Sequence, residues 1–336
     1  MERAQLALLA QSHGFHTVRF TVARETPRRV AFDRWLARGR HADLHWMVRG
    51  RDVRVDVARR APWARTAMVL AVGHHHRVPP DPGGLTGRVA RYAWGRDYHN
   101  LVGKRLQKLR RALDEAGVRS WGGVDAAPIL ERAWAEAAGL GFSGKNTLQI
   151  IPGGGSWMFL AVVFLSVPVA PDPPLTRDHC GSCTRCLSRC PTNAFPAPRE
   201  LATDRCISYW TIEARGLPPP ELRPQLGRWV FGCDVCQEVC PHNHDPLDPE
   251  EDDLRPRHAW VDLVELLRSS DDQLLARYEG TPLRRPGAVG LKRNALLVLG
   301  NLGDPAAAAV IHDTALHHPA PVVREAAAWA LSRLPA

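Results

Sequence analysis

The sequence predicts a chain of three parts: an α/β unit, a small cysteine-rich domain and an all-α tail. Three observations predict it. "TAMVLAVGH", Thr66 to His74, is a β-branched and apolar run of the kind a buried strand needs. All 8 cysteines fall between Cys180 and Cys240. Near the end, "LKRNALLVLGNL" from Leu291 and "VVREAAAWALSRL" from Val322 share one pattern at a step of 31 residues, with Leu291 answering Val322 and Arg293 answering Arg324. The three parts take residues 1–170, 171–250 and 255–336, and 336 residues are enough for them.

In the first part, "YHNLVGKRLQKLRRALDEAG" sets Leu101, Leu106, Leu109 and Leu113 at helical spacing, with Gly117 as the stop. "NTLQII" and "WMFLAVVFL" flank "PGGGS" and read as a hairpin. His74 to His76 follow a strand end and read as an exposed loop. The proline-rich "VPVAPDPPLT" reads as a linker into the cysteine region, and "HDPLDPEEDDLRPR" as an acidic, exposed connector out of it. In the tail, "DPAAAAVIHDTAL" opens with an N-cap and a proline at the first helical position. Its helices suit stacked pairs of the HEAT kind, although the step is short for that class.

Lys and Arg number 44 against 35 Asp and Glu, a net charge of +9. An excess of this size points to a polyanionic partner, nucleic acid before membrane. The N-terminal "MERAQLALLAQSHGF" lacks the basic and long apolar segments of a secretory signal. The longest apolar run, Trp157 to Val167, is too short to span a bilayer as a helix. A soluble, cytoplasmic monomer with no membrane partner is expected. In a reducing cytoplasm, clustered cysteines favour metal over disulfides.

The cysteine spacing is specific. Cys180, Cys183, Cys186 and Cys190 form C-x2-C-x2-C-x3-C followed by Pro191, and Cys233, Cys236 and Cys240 form C-x2-C-x3-C followed by Pro241. Bacterial ferredoxins have this arrangement, and in it the fourth cysteine serves the other cluster of the pair. One 4Fe-4S cluster then takes Cys180, Cys183, Cys186 and Cys240. The second takes Cys190, Cys233 and Cys236, with Cys206 as its fourth ligand. Two Cys₄ zinc sites would also consume all 8 cysteines, but zinc ribbons use separated C-x2-C pairs. This middle part therefore reads as a ferredoxin-like double 4Fe-4S domain. It is embedded in far more chain than an electron carrier needs, so another group must receive the electrons.

"GLGFSGKNT" gives the beginning of a phosphate-binding loop, but Asn146 stands where Ser or Thr should hold magnesium, and a helix rather than a strand precedes it. The longer stretch "VDAAPILERAWAEAAGLGFSGKNTLQI" instead resembles a signature of the epoxyqueuosine reductases. "RYAWGRDYHNLVGKRLQKL", "RCISYWTIEARG", "FGCDVCQEVCPHN" and "LKRNALLVLGN" are similar to further blocks of that family, and the cysteine pattern agrees. The resemblance implies reduction of epoxyqueuosine to queuosine in the tRNA anticodon loop. It also implies cobalamin, held by the N-terminal unit and fed by the two clusters, and an electron-donor protein or reductant.

The resemblance places Asp125 of "VDAAP" as proton donor, a role that needs a carboxyl whose pKa burial has raised. Capping of the following helix is the plainer role for the same residue. It implies cofactor contacts at Arg54, Asp125, Ser208 and Asp234. Arg215, Lys292 and Arg293 are candidates for tRNA phosphates. The chain departs from the family pattern at Phe142 and Ser143, at His242 after the last Cys-Pro, and after the strand in "AVGHHHR". The nearest rival is a corrinoid and iron–sulfur reductive dehalogenase acting on a small molecule. Its expected distinction is the lack of tRNA binding.

Overall fold

The structure is a computed structural model that describes every residue except 25, 27, 176, 245, 247–251 and 336. Nine strands are formed among the described residues: β1 (Thr17–Val22), β2 (Thr66–Gly73), β3 (Thr86–Val89), β4 (Ser120–Gly123), β5 (Phe142–Ser143), β6 (Gln149–Ile150), β7 (Met158–Leu165), β8 (Trp229–Phe231) and β9 (Trp260–Asp262).

The apolar run at Thr66 becomes β2, all of whose residues are buried. It lies inside a four-stranded sheet of order β1-β2-β7-β4. Every pairing in that sheet is antiparallel, so the N-terminal unit is not a parallel α/β layer. Both faces of β2 are covered. Met68, Leu70 and Val72 pack on the Arg3–Ser12 and Tyr98–Glu115 helices through Leu6, Leu106, Leu109 and Leu113. Ala67, Val69 and Ala71 face Trp134 and Ala135 of the Glu131–Ala137 helix and Ala138 just after it. A strand buried on both sides cannot alternate polar and apolar residues, which is why its sequence runs apolar throughout. The Tyr98–Glu115 helix starts at Asp97, whose side chain accepts the His99 N–H, and Gly117 follows its end at φ +77°.

The expected hairpin is not formed. β6 pairs with β5, whereas β7 pairs with β2 and β4. Nor is "VPVAPDPPLT" a free linker. The Asp172 carboxylate accepts the Phe20 N–H at 2.8 Å and meets Arg3 and Arg19, so the N-terminal unit extends past residue 170. The strand end at His74 is also closed: His74 is buried, and its ring stacks on Phe159 at 4.4 Å. Much of the acidic connector lies outside the described residues; of the rest, Leu254 is buried in the core beneath β2.

The tail holds helices Gly287–Leu302, Ala308–His317 and Pro321–Leu331, packed on one another. Their core continues into Val89, Trp94, Val230 and Phe231. A second sheet, of order β8-β3-β9, draws one strand from each of the three sequence segments. Among the described residues, no helix is long and apolar enough to cross a membrane.

Candidate active site

Edge strand β4 hands the chain to a turn that carries Asp125. Asp125 has φ +55°, a left-handed conformation that costs a non-glycine residue about 1 kcal/mol or more and needs outside support. The support comes from the Glu131 carboxyl, which accepts the Asp125 N–H at 3.0 Å. The Tyr98 hydroxyl donates to Asp125 Oδ2, and His99 Nε2 stands 3.6 Å from the same oxygen.

These residues line a cavity of about 870 Å³. A second cavity, of about 660 Å³, adjoins it and shares Leu44, Met47, Leu130, Arg132, Ile212 and Glu213. The Asp125 side chain is 57 % exposed, and it faces a cavity that is itself open to solvent on one side. Burial there raises its pKa, yet the contacts with His99 and Tyr98 win, and the carboxyl is held at about 2. The expected raised pKa is therefore not found. The protons reside on its neighbours. Contact with Asp125 and a hydrogen bond to Asp97 push His99 up to about 9, against desolvation. Burial, helped by the Asp125 charge, pushes Glu131 up to about 8.

Arg54 lines the larger cavity and is buried; its guanidinium lies over Gly50, where a Cβ would stand 1.9 Å from Nη1, so a larger residue there would push the Arg54 side chain aside. Ser208 lines the second cavity beside Cys206. Asp234 lines neither. It is buried and accepts the Arg91 N–H at 2.8 Å, so the structure does not bring it to the cavity as a cofactor contact.

Lys292 and Arg293 do not lie on an exposed face. Lys292 is buried against Asp271 at 2.8 Å, and Arg293, 1 % exposed, donates to the carbonyls of Trp210, Ala214 and Gly216. Neither can reach a phosphate. Arg215 is exposed, near Arg284 and Arg285 at the start of the tail. Arg284 and Arg285 line the cavity.

The cysteines are all free of disulfides. Cys180, Cys183, Cys186 and Cys240 line one small cavity of about 40 Å³. Burial, then the nearby Cys180, Cys240 and Cys183, pushes Cys186 up to about 11. Burial and the Cys206 and Cys190 thiols raise Cys233 and Cys236. Four thiols thus line one cavity, and Cys190 and Cys206 lie near enough to Cys233 and Cys236 to raise their pKa, although among the described residues no three His, Cys, Asp or Glu side chains are grouped tightly enough to hold a single metal ion. The "SGKN" loop braces both groups: Lys145 Nζ donates to the Gly181 carbonyl at 2.7 Å and Asn146 Nδ2 to the Cys236 carbonyl at 3.1 Å. Phe142 packs between His179 and His242 beside the first group.

The cavities fit a large cofactor bearing amide groups. Gln149 lines the larger one with both side-chain polar atoms buried and without a hydrogen-bond partner among the described residues, and Nδ1 of His74, which lines the same cavity, is likewise buried without one. An unpartnered buried amide costs about 1–3 kcal/mol until a ligand meets it. Sequence reasoning missed Tyr98, His99, Glu131 and Gln149. The one available signal was the Asp-Tyr-His run at a helix start; nothing marks Gln149 or Glu131.

Comparisons with known proteins agree with this arrangement. Residues 179–243 match a family model described as a 4Fe-4S double cluster binding domain, and residues 54–126 match one described as Epoxyqueuosine reductase QueG, DUF1730. An epoxyqueuosine reductase of Xanthomonas campestris pv. campestris is 38% identical over 98% of this chain and 95% of its own length. One of Pseudomonas aeruginosa is 39% identical over 95% of this chain and 91% of its own. A crystal structure of an epoxyqueuosine reductase with an epoxyqueuosine-modified tRNA-Tyr stem loop superposes with TM-score 0.89 at 30% identity, covering 98% of this chain and 89% of the other. A Bacillus subtilis epoxyqueuosine reductase, solved with its catalytic aspartate loop swung out of the active site, gives TM-score 0.88 at 30% identity over 98% of this chain and 90% of its own. With relatives this similar over almost its whole length, the chain belongs to the epoxyqueuosine reductase family and is an oxidoreductase.

Proposed function

We propose that this chain reduces the epoxide of epoxyqueuosine in the tRNA anticodon loop, giving queuosine, with cobalamin in the paired cavities and 4Fe-4S clusters on the two cysteine groups. The observation that carries the reading is Asp125, fixed in a left-handed turn on the wall of a large cavity whose neighbour reaches Cys206. When bound, the clusters supply single electrons and the corrinoid the two-electron reduction of the substrate. Cys180, Cys183, Cys186 and Cys240 hold the outer cluster, and Cys190, Cys206, Cys233 and Cys236 the one nearer the cavity.

Removing an epoxide oxygen breaks two C–O bonds and forms one C=C bond. It consumes two electrons and two protons and releases water. Asp125 hands protons to the departing oxygen. Arg54, Gln149 and Ser208 offer donors and acceptors to the corrinoid, while Arg215, Arg284 and Arg285 meet tRNA phosphates at the rim. The +9 charge and the family's tRNA-bound structure support the polyanionic substrate over a small halogenated one.

The test is anaerobic purification, measurement of iron and cobalt, and conversion of an epoxyqueuosine-containing stem loop. Wild type is expected to convert it. Asp125→Asn should keep its iron and cobalt and lose at least about 100-fold in rate. Wild-type turnover by that variant would refute the donor role.

A further inference from the structure

Three polar side chains on the cavity wall form a line. Asp97 Oδ1 lies 2.9 Å from His99 Nδ1, and His99 Nε2 lies 3.6 Å from Asp125 Oδ2. All three line the cavity. Asp97 is itself fixed as the cap of the Tyr98–Glu115 helix, so it orients the imidazole and favours a proton on Nδ1. A proton on Nε2 as well makes the ring a cation between two carboxylates. The 3.6 Å contact is an ion pair rather than a hydrogen bond, and a small rotation of the ring closes it.

We propose that Asp97–His99–Asp125 is a proton relay in which His99 stores the proton that Asp125 passes to the departing epoxide oxygen. This rests on the reading of Asp125 as the donor and supplies what that reading lacks. Epoxide reduction needs two protons, and Asp125 at rest is an ionised carboxylate with none to give. In each transfer the His99 Nε2–H bond breaks, Asp125 Oδ2 receives the proton, and the departing oxygen takes it from there. Solvent recharges His99 before the second transfer; the imidazole is partly exposed, at 31 %.

The groups facing His99 decide its charge. Asp97 and Asp125 favour the cation. The Tyr98 ring lies 4.1 Å away, and Tyr98 keeps its proton because burial and Asp125 both push its pKa up. Arg285 and Glu131 act at one remove, through their effects on Asp97 and Asp125 or as neighbours of Asp125. His99 is thus a positioning residue that acts through Asp125.

The test has a readout apart from turnover. Diethylpyrocarbonate acylates an imidazole only in its neutral form, and the His99 peptide can be followed by mass spectrometry, apart from other modified side chains, as pH is varied on the purified holoprotein. Reactivity of His99 should rise with a midpoint of about 9 in wild type. In Asp97→Asn the midpoint should fall toward the ordinary ~6.5. An ordinary midpoint in wild type overturns the relay. In single turnover on an epoxyqueuosine stem loop, His99→Gln should lose roughly 100-fold in rate, along with the alkaline limb of the profile, with iron and cobalt unchanged. If His99→Gln keeps the wild-type rate and profile while Asp125→Asn is dead, the relay fails and the donor stands. If Asp125→Asn turns over normally, the donor reading itself fails.

Discussion

Among the described residues, Arg293 is the bulkiest fully enclosed side chain, and none of its hydrogen bonds there goes to a carboxylate. It spends its donors on the carbonyls that close the segment after Cys206 and on the Asn294 side chain. Asn294 in turn donates to the Thr211 and Val230 carbonyls. Arg293→Met would leave those carbonyls unpaired, and we expect a loss of about 3 kcal/mol, read as a lowered urea midpoint. The sequence pairs Lys292 with Arg293 inside a helical repeat, a pattern equally suited to a solvated basic face. Which way a helix turns depends on what covers it, and that information lies far away in the chain. The charge state of Asp125 was hidden for the same reason. It is set by Tyr98 and His99, which touch it from the start of a helix that begins 27 residues earlier, and not by its own neighbours in "VDAAP".

At the scale of elements, local patterns were legible and pairings were not. β2 and the Tyr98–Glu115 helix follow directly from their apolar spacing. The Gln149–Ile150 strand did not go where its turn suggested, because a two-residue strand carries no period to fix its partner. The segment after β7 is a docked strap rather than a linker, and Asp172 is its fastener. Burial raises the pKa of this carboxyl, but Arg3, the Phe20 N–H and Arg19 together hold it below the ordinary value. Its folded pKa is thus depressed, so its contribution is complete above the unfolded pKa and is lost as pH falls through the folded one. Asp172→Ala should cost about 2 kcal/mol in urea unfolding at neutral pH. In strong acid the variant and wild type should converge.

For the whole molecule, the two thiol groups were legible because their ligands are packed into short, punctuated runs. The architecture around them was not. "TGRV", "WVF" and "WVD" are too short to announce a sheet, yet β3, β8 and β9 join all three segments. The tail also shares a core with Trp94, Val230 and Phe231. Removal of residues 258–336 should therefore expose that core and send the remaining chain into the insoluble fraction. A soluble, iron-loaded truncation would mean that the tail is dispensable.

The small mixed sheet also governs when the protein can come into being. A ribosome releases Arg88 long before Trp229, and Trp260 later still, although the three lie side by side in the finished sheet. Contacts so distant in sequence form slowly and late. The newborn enzyme must wait, half-knit, until its final strand emerges to close the weave.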